Sequence, residues 1–166
     1  MIRRRVRGIA LWLINHFLCG NRLWALKRRL LNATGVSVGK NTKIVGPITM
    51  GVCGDMSIGD NCWIGKNLCI YGNDAVSIGS NCDLAPNISF VTGTHAIGDH
   101  DRRAGEGYCK PIAVGNGCWI GINSTVLCNV TVGDGTVIGA GALVNKSVPA
   151  DVMVAGVPAK IVKNLD

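Results

Sequence analysis

An aliphatic residue returns at every sixth position over most of this chain, a period that few folds accommodate. Val38, Ile44 and Met50; Ile58, Ile64 and Ile70; Ile78, Leu84 and Phe90; Val114, Ile120 and Val126; Val132, Ile138 and Val144 form five sets of three. Six residues per side and eighteen per turn describe a triangular coil of short parallel strands. Each coil stacks on the last through backbone hydrogen bonds and buries one aliphatic residue per side. The next residue is usually glycine, as at Gly39, Gly59, Gly65, Gly79, Gly115, Gly121, Gly133 and Gly139. That suits a tight corner whose backbone conformation is costly for residues with a side chain. Four positions after the aliphatic residue comes a small inward one: Thr42, Cys62, Cys82, Cys118, Ser124, Thr136 and Ala142. In this register Cys62, Cys82 and Cys118 stack as small apolar fillers of the prism interior.

The rhythm breaks in one major place. The first three sets start twenty residues apart, which leaves two extra residues at a corner of each of the first two coils. Val114 comes twenty-four positions after Phe90 instead of six, an insertion of eighteen. The stretch Ser89 to Pro111, SFVTGTHAIGDHDRRAGEGYCKP, therefore leaves the scaffold as a loop over about 92–111, and it carries His95. The charges around His100 (Asp99, Asp101, Arg102, Arg103) read as solvated, and Cys109 has no base at a fixed spacing that would make it a nucleophile.

Composition agrees with a repeat fold: 23 glycines stand against an aromatic fraction of 5%, without the Gly-X-Y period of collagen. The formal charge of +7 is uneven. Residues 1–31 hold Arg3, Arg4, Arg5, Arg7, Arg22, Lys27, Arg28 and Arg29 and no acid, leaving nine bases against ten acids in the remainder. The basic surface is thus confined to one end, and no nucleic-acid partner is expected. Residues 1–34 read as a basic arm of two short helices broken near Gly20-Asn21, with Val6, Ile9, Ala10, Leu13, Ile14 and Phe17 at helical spacing and Leu11 and Trp12 widening the apolar face. Ile9 to Cys19 is too short and too interrupted by Asn15 and His16 to span a bilayer. Two readings of the arm stay open: packing on the body or on a neighbouring subunit, or lying in a membrane interface. With no secretory signal recognisable and no CxxC pair, the eight cysteines read as reduced and the protein as cytoplasmic, with the inner membrane face as a peripheral location.

The segments LAPNISFVTGTH (84–95), KPIAVGNGCWIG (110–121) and VIGAGALVNKSVPADVMVAGVPAKIV (137–162), set in these repeats, resemble the hexapeptide-repeat acyltransferases, in particular the galactoside, maltose and nodulation-factor O-acetyltransferase branch. The resemblance implies a left-handed parallel β-helix of about five coils over 35–166, with one extruded loop and a closing C-terminal segment. It also implies a homotrimer with active sites between subunits, acetyl-CoA as co-substrate, no required metal, and His95 as general base. On the same grounds Gly121, Ile122, Ala140, Asn145, Lys146, Lys160 and Lys163 would line the coenzyme path. Asn145 and Ile122 stand where galactoside relatives carry hydroxyl residues, and Lys160 and Lys163 where they carry arginines. The lysines would neutralise phosphate without a bidentate fork. Asn67, Asn73, Asp74 and Asn87 are the acceptor candidates, although corner and turn positions alone also explain them. The expected activity is O-acetylation of a sugar hydroxyl in surface polysaccharide assembly. The alternatives are acetylation of a xenobiotic of the chloramphenicol or streptogramin type, acetylation of serine, and a non-catalytic β-helix scaffold.

Overall fold

The computed structural model describes residues 2–51 and 54–165; of residues 2–5 only the backbone is described, so the side chains of Arg3, Arg4 and Arg5 lie outside it. Two helices, α1 (Ile2–Phe17) and α2 (Trp24–Ala33), precede the coils. The first coil holds β1 (Ser37–Val38), β2 (Lys43–Ile44) and β3 (Ile48–Met50), and the second β4 (Met56–Ile58), β5 (Trp63–Ile64) and β6 (Leu68–Tyr71). The third holds β7 (Val76–Ile78), β8 (Asp83–Leu84) and β9 (Ser89–Val91), and gives rise to a hairpin, β10 (Gly93–Ile97) and β11 (Ala104–Cys109). The fourth holds β12 (Ile112–Val114), β13 (Trp119–Ile120) and β14 (Thr125–Leu127), and the fifth β15 (Thr131–Val132), β16 (Val137–Ile138) and β17 (Leu143–Val144). β18 (Val152–Ala155) and β19 (Lys160–Asn164) end the chain.

The strands stack into three sheets, ordered β1-β4-β7-β12-β15, β2-β5-β8-β13-β16-β18-β19 and β3-β6-β9-β14-β17, called here the first, second and third faces. Their registers pair Val38 with Ile58 and Ile78, Ile44 with Ile64 and Leu84, and Met50 with Ile70 and Phe90, and the pairing continues through the later coils. All fifteen six-residue positions therefore fall in three interior columns, every one buried except half-buried Met50. The helix runs past the fifth coil into a sixth turn that the aliphatic count misses: Val148 bridges to Val132, β18 pairs parallel with β16, and β19 folds back antiparallel on β18.

The repeat glycines serve a different purpose from the expected one. None of Gly39, Gly59, Gly65, Gly79, Gly115, Gly121, Gly133 and Gly139 has a positive φ. What excludes a side chain there is contact between coils: a Cβ on Gly59 would lie 2.7 Å from the backbone of Gly79 and Ser80, and one on Gly121 would lie 2.6 Å from Ala140 N. The left-handed positions lie two residues on, at Asn41, Asn61, Asn67, Asn81 and Asn123 (φ 57–60°) and at Gly117, Gly135 and Gly141 (φ 66–70°); Asn87 (φ 61°) holds the same place after Ala85. Asparagine tolerates this conformation better than other side-chain-bearing residues. The cysteines also do more than fill space. Along the corner between the first and second faces each side chain donates to a carbonyl of the next coil: Thr42 Oγ1 to Gly59 O (2.7 Å), Cys62 Sγ to Gly79 O (3.1 Å), Cys82 Sγ to Gly115 O (3.1 Å), Cys118 Sγ to Gly133 O (3.2 Å) and Thr136 Oγ1 to Pro149 O (2.8 Å).

The arm caps the open end of the first coil with one polar side chain per face. Asn32 bonds both ways with Val38 (2.7 and 3.1 Å), Asn15 both ways with Ile48 (2.8 and 2.7 Å), and the Lys27 ammonium reaches Ile44 O (2.6 Å) and Gly20 O (2.7 Å). Lys27 is fully buried under the Trp24 ring, 4.5 Å from its centroid, and burial holds its ammonium below the ordinary lysine range. On α1 the body takes Ala10 and Ile14 but also Arg7, which donates to Gly54 O; of the six expected apolar positions Val6, Ile9 and Phe17 face outward.

Candidate active site

Every departure from the six-residue rhythm occurs at the corner between the third and first faces. The two extra residues of the second coil place Asn73 and Asp74 there, and one coil further on the chain leaves as the β10–β11 hairpin. Thr92, fully buried, ties the two levels together: its N–H and hydroxyl both donate to Tyr71 O (2.7 and 2.9 Å), and its Oγ1 accepts from Asp74 N (3.3 Å). The excursion is thus an ordered antiparallel ribbon, pairing Gly93 with Cys109, Thr94 with Tyr108 and His95 with Gly107, with an irregularity between His95 and Ile97.

The hairpin and the second-coil corner enclose a hollow of about 350 Å³ lined by Asn73, Gly93, Thr94, His95, Tyr108 and Cys109, with Gly107 beneath the imidazole. His95 Nδ1 is 2.9 Å from Gly105 O. A carbonyl only accepts, so in the neutral ring Nδ1 carries the proton and Nε2 keeps its lone pair for an incoming acid. A Cβ on Gly107 would come 3.3 Å from His95 Cε1 and 3.5 Å from its Nδ1, which shows how closely the backbone seats the ring.

A second cleft, of about 330 Å³ and mostly apolar, opens on the second face and its corner with the third. It is lined by Trp119, Gly121, Ile122, Val137, Ala140 and Met153, among others. Trp119 was not among the candidates; its outward position next to Ile120 was the available signal. Lys163 pairs across from Met153 and Lys160 across from Ala155, both exposed on the edge strand beside this cleft. Asn67 and Asn87 occupy the same corner and do not line the His95 hollow. Their amides form a ladder, Asn67 Nδ2 to Asn87 Oδ1 (2.8 Å) and Asn87 Nδ2 to Asn123 Oδ1 (2.9 Å). Asn145 and Lys146, exposed after β17, lie instead at the third–first corner, on the same edge as His95.

The candidates therefore divide between two corners of one prism: Asn73, Asp74, His95, Asn145 and Lys146 on one, and Asn67, Asn87, Gly121, Ile122, Ala140, Lys160 and Lys163 on or beside the other. Among the described residues no three His, Cys, Asp or Glu side chains converge as a metal site would require.

Residues 111–146 match the family model "bacterial transferase hexapeptide (six repeats)" and residues 56–89 that of the "hexapeptide repeat of succinyl-transferase". Galactoside O-acetyltransferase of Escherichia coli is 34% identical over 84% of this chain and 69% of its own length. The putative colanic acid biosynthesis acetyltransferase WcaF of the same organism is 31% identical over 85% and 76%. Among solved structures, the hexapeptide-repeat acetyltransferase VCA0836 of Vibrio cholerae in complex with acetyl-coenzyme A superposes with a TM-score of 0.83 at 28% identity, covering 99% of this chain and 88% of that one. Galactoside acetyltransferase in complex with coenzyme A gives 0.83 at 29%, covering 99% and 81%. The chain belongs to the hexapeptide-repeat acetyltransferases and shares their left-handed β-helix.

Proposed function

We propose that this enzyme transfers an acetyl group from acetyl-CoA to a hydroxyl of a sugar, in surface polysaccharide assembly, at sites formed between adjacent prisms of a homotrimer. The observation that carries this reading is the division of the candidate residues between two corners. A prism offers the base on one edge and the apolar cleft on another, and a neighbour related by three-fold rotation brings one against the other. The names of the two curated relatives support a sugar acceptor, and the colanic acid relative supports the polysaccharide setting.

In this arrangement the pantetheine arm lies on Trp119, Ile122 and Ala140, while Lys146, Lys160 and Lys163 answer the phosphates. Asn145 flanks the coenzyme from the His95 side. The acceptor enters the hollow, where Asn73 supplies hydrogen-bonding groups, with Asp74 next to it on the same corner, and the exposed Tyr108 ring offers a flat apolar wall. Asn67 and Asn87 of the facing prism stand across from them. His95 Nε2 takes the proton of the attacking hydroxyl as its oxygen adds to the thioester carbonyl. The C–S bond then breaks, and the proton passes to the leaving thiolate. The Gly105 carbonyl stabilises the imidazolium formed on the way.

Replacing His95 by Ala is expected to lower turnover by about 100-fold or more with acetyl-CoA affinity retained. The shared site is tested by co-expressing His95→Ala with Ala140→Trp, a variant whose cleft is filled. Mixed trimers are expected to regain activity, because one interface then joins an intact histidine to an intact cleft. No recovery in verified mixed trimers would place both halves in one subunit and sink the reading.

A further inference from the structure

Among the described residues, nothing packs against one side of α1 once the arm is docked. On α1 Arg7, Ala10 and Ile14 are buried against the body. At about 100° per residue, Ile9, Trp12 and His16 lie on the opposite side, with Val6, Leu13 and Phe17 between the two. The outward residues are large and open: Ile9 is 61% exposed, Trp12 52% and Phe17 63%. Trp12 and Phe17 meet edge to face at 5.3 Å, so this patch is already organised. Leu23 and Leu26, 50% and 42% exposed, extend it past the break between the helices.

The charge of the arm itself has one sign, and the body brings Asp55 to Arg7 (3.8 Å) on the buried side of α1. Residues 1–31 hold eight basic residues and no acid; among the described side chains Arg7 and Lys27 make buried bonds within the protein, and Arg28 reaches Thr42 O (3.3 Å). Arg22 and Arg29 are exposed beside the apolar residues. Two copies of the arm meeting face to face would bring like charges together, which opposes self-pairing. A layer that is apolar below and anionic at its surface complements both features. No described helix is long and apolar enough to cross a membrane, so the contact is with one leaflet.

We infer that the outward stripe of α1, continued by Leu23 and Leu26 and flanked by Arg22 and Arg29, seats the enzyme on the surface of an anionic lipid bilayer. Arg7, Asn15, Lys27 and Asn32 fix the arm to the first coil, so the bilayer meets the end of the prism at a set orientation rather than through a loose tether.

The test uses the full chain and vesicles of phosphatidylcholine alone or mixed with phosphatidylglycerol, with binding read by sedimentation and no acetyl donor present. The protein is expected to pellet with the mixed vesicles, to stay in solution with phosphatidylcholine alone, and to be released in part by high salt. The double variant Trp12→Glu, Phe17→Glu is expected to bind at least tenfold more weakly, with unchanged melting temperature and unchanged size on gel filtration. Failure of the parent chain to bind mixed vesicles, equal binding to both vesicle types, or undiminished binding by the folded double variant would each overturn the inference. A fall in the variant's assembly size would overturn it too, since the stripe would then be a contact between copies of the chain.

Discussion

Two residues show how much of this site depends on what surrounds a side chain. His95 has its ring fixed by Gly105 O and by the absence of a Cβ at Gly107. Gly107→Ala is therefore expected to push the imidazole off its seat and cut turnover on the order of tenfold while leaving the melting temperature within a few degrees. Equal losses in both variants would not separate placement from chemistry, so the comparison with His95→Ala is made on kcat. Lys27 is the counterpart in the scaffold, a buried cation facing backbone carbonyls. Because burial lowers its pKa, the folded chain holds this proton less tightly than the unfolded one. Its contribution to stability therefore rises with pH through the interval below the ordinary lysine value and falls as pH drops through that interval. Lys27→Met should remove this slope in denaturant titrations at a series of pH values. It should also cost about 1–3 kcal/mol by leaving Gly20 O and Ile44 O without a donor.

At the scale of strands and corners, the period of six made the solenoid legible because each coil repeats one small packing problem. The columns headed by Val38, Ile44 and Met50 follow directly from it. Steric detail between coils was not legible: a repeat glycine looks the same whether it supplies a positive φ or clears room for the next coil, and here it does the second. Gly59→Ala is accordingly expected to destabilise by about 1–3 kcal/mol, measured by thermal or urea unfolding. Asn81→Gly, at a position that needs φ 59°, should be nearly neutral where Asn81→Ala is not. The hairpin that carries His95 was readable because the insertion announces itself in the count, whereas Trp119, on the wall of the apolar cleft, looked like one more outward residue of a strand. The apolar girth of α1 also misled, since Val6 and Ala10 are equally helical in spacing and only the contact with the coil separates them. The sixth turn was missed because β18 pairs parallel after a shortened approach through Val148 and carries no glycine partner to mark it.

For the whole molecule, the arm that orients the prism also closes it. A β-helix ends in three strands whose outer N–H and C=O groups face nothing, and such edges recruit further strands. Asn32, Lys27 and Asn15 occupy that edge on all three faces, and β19 turns back across the second face at the far end. Removing residues 1–34 is expected to give a chain that grows by association with concentration in light scattering, while the full-length protein keeps a fixed mass. Three side chains on two helices thus act as a length stop: they turn a coil that has no intrinsic reason to end into a particle of defined size, and they separate an enzyme from a filament.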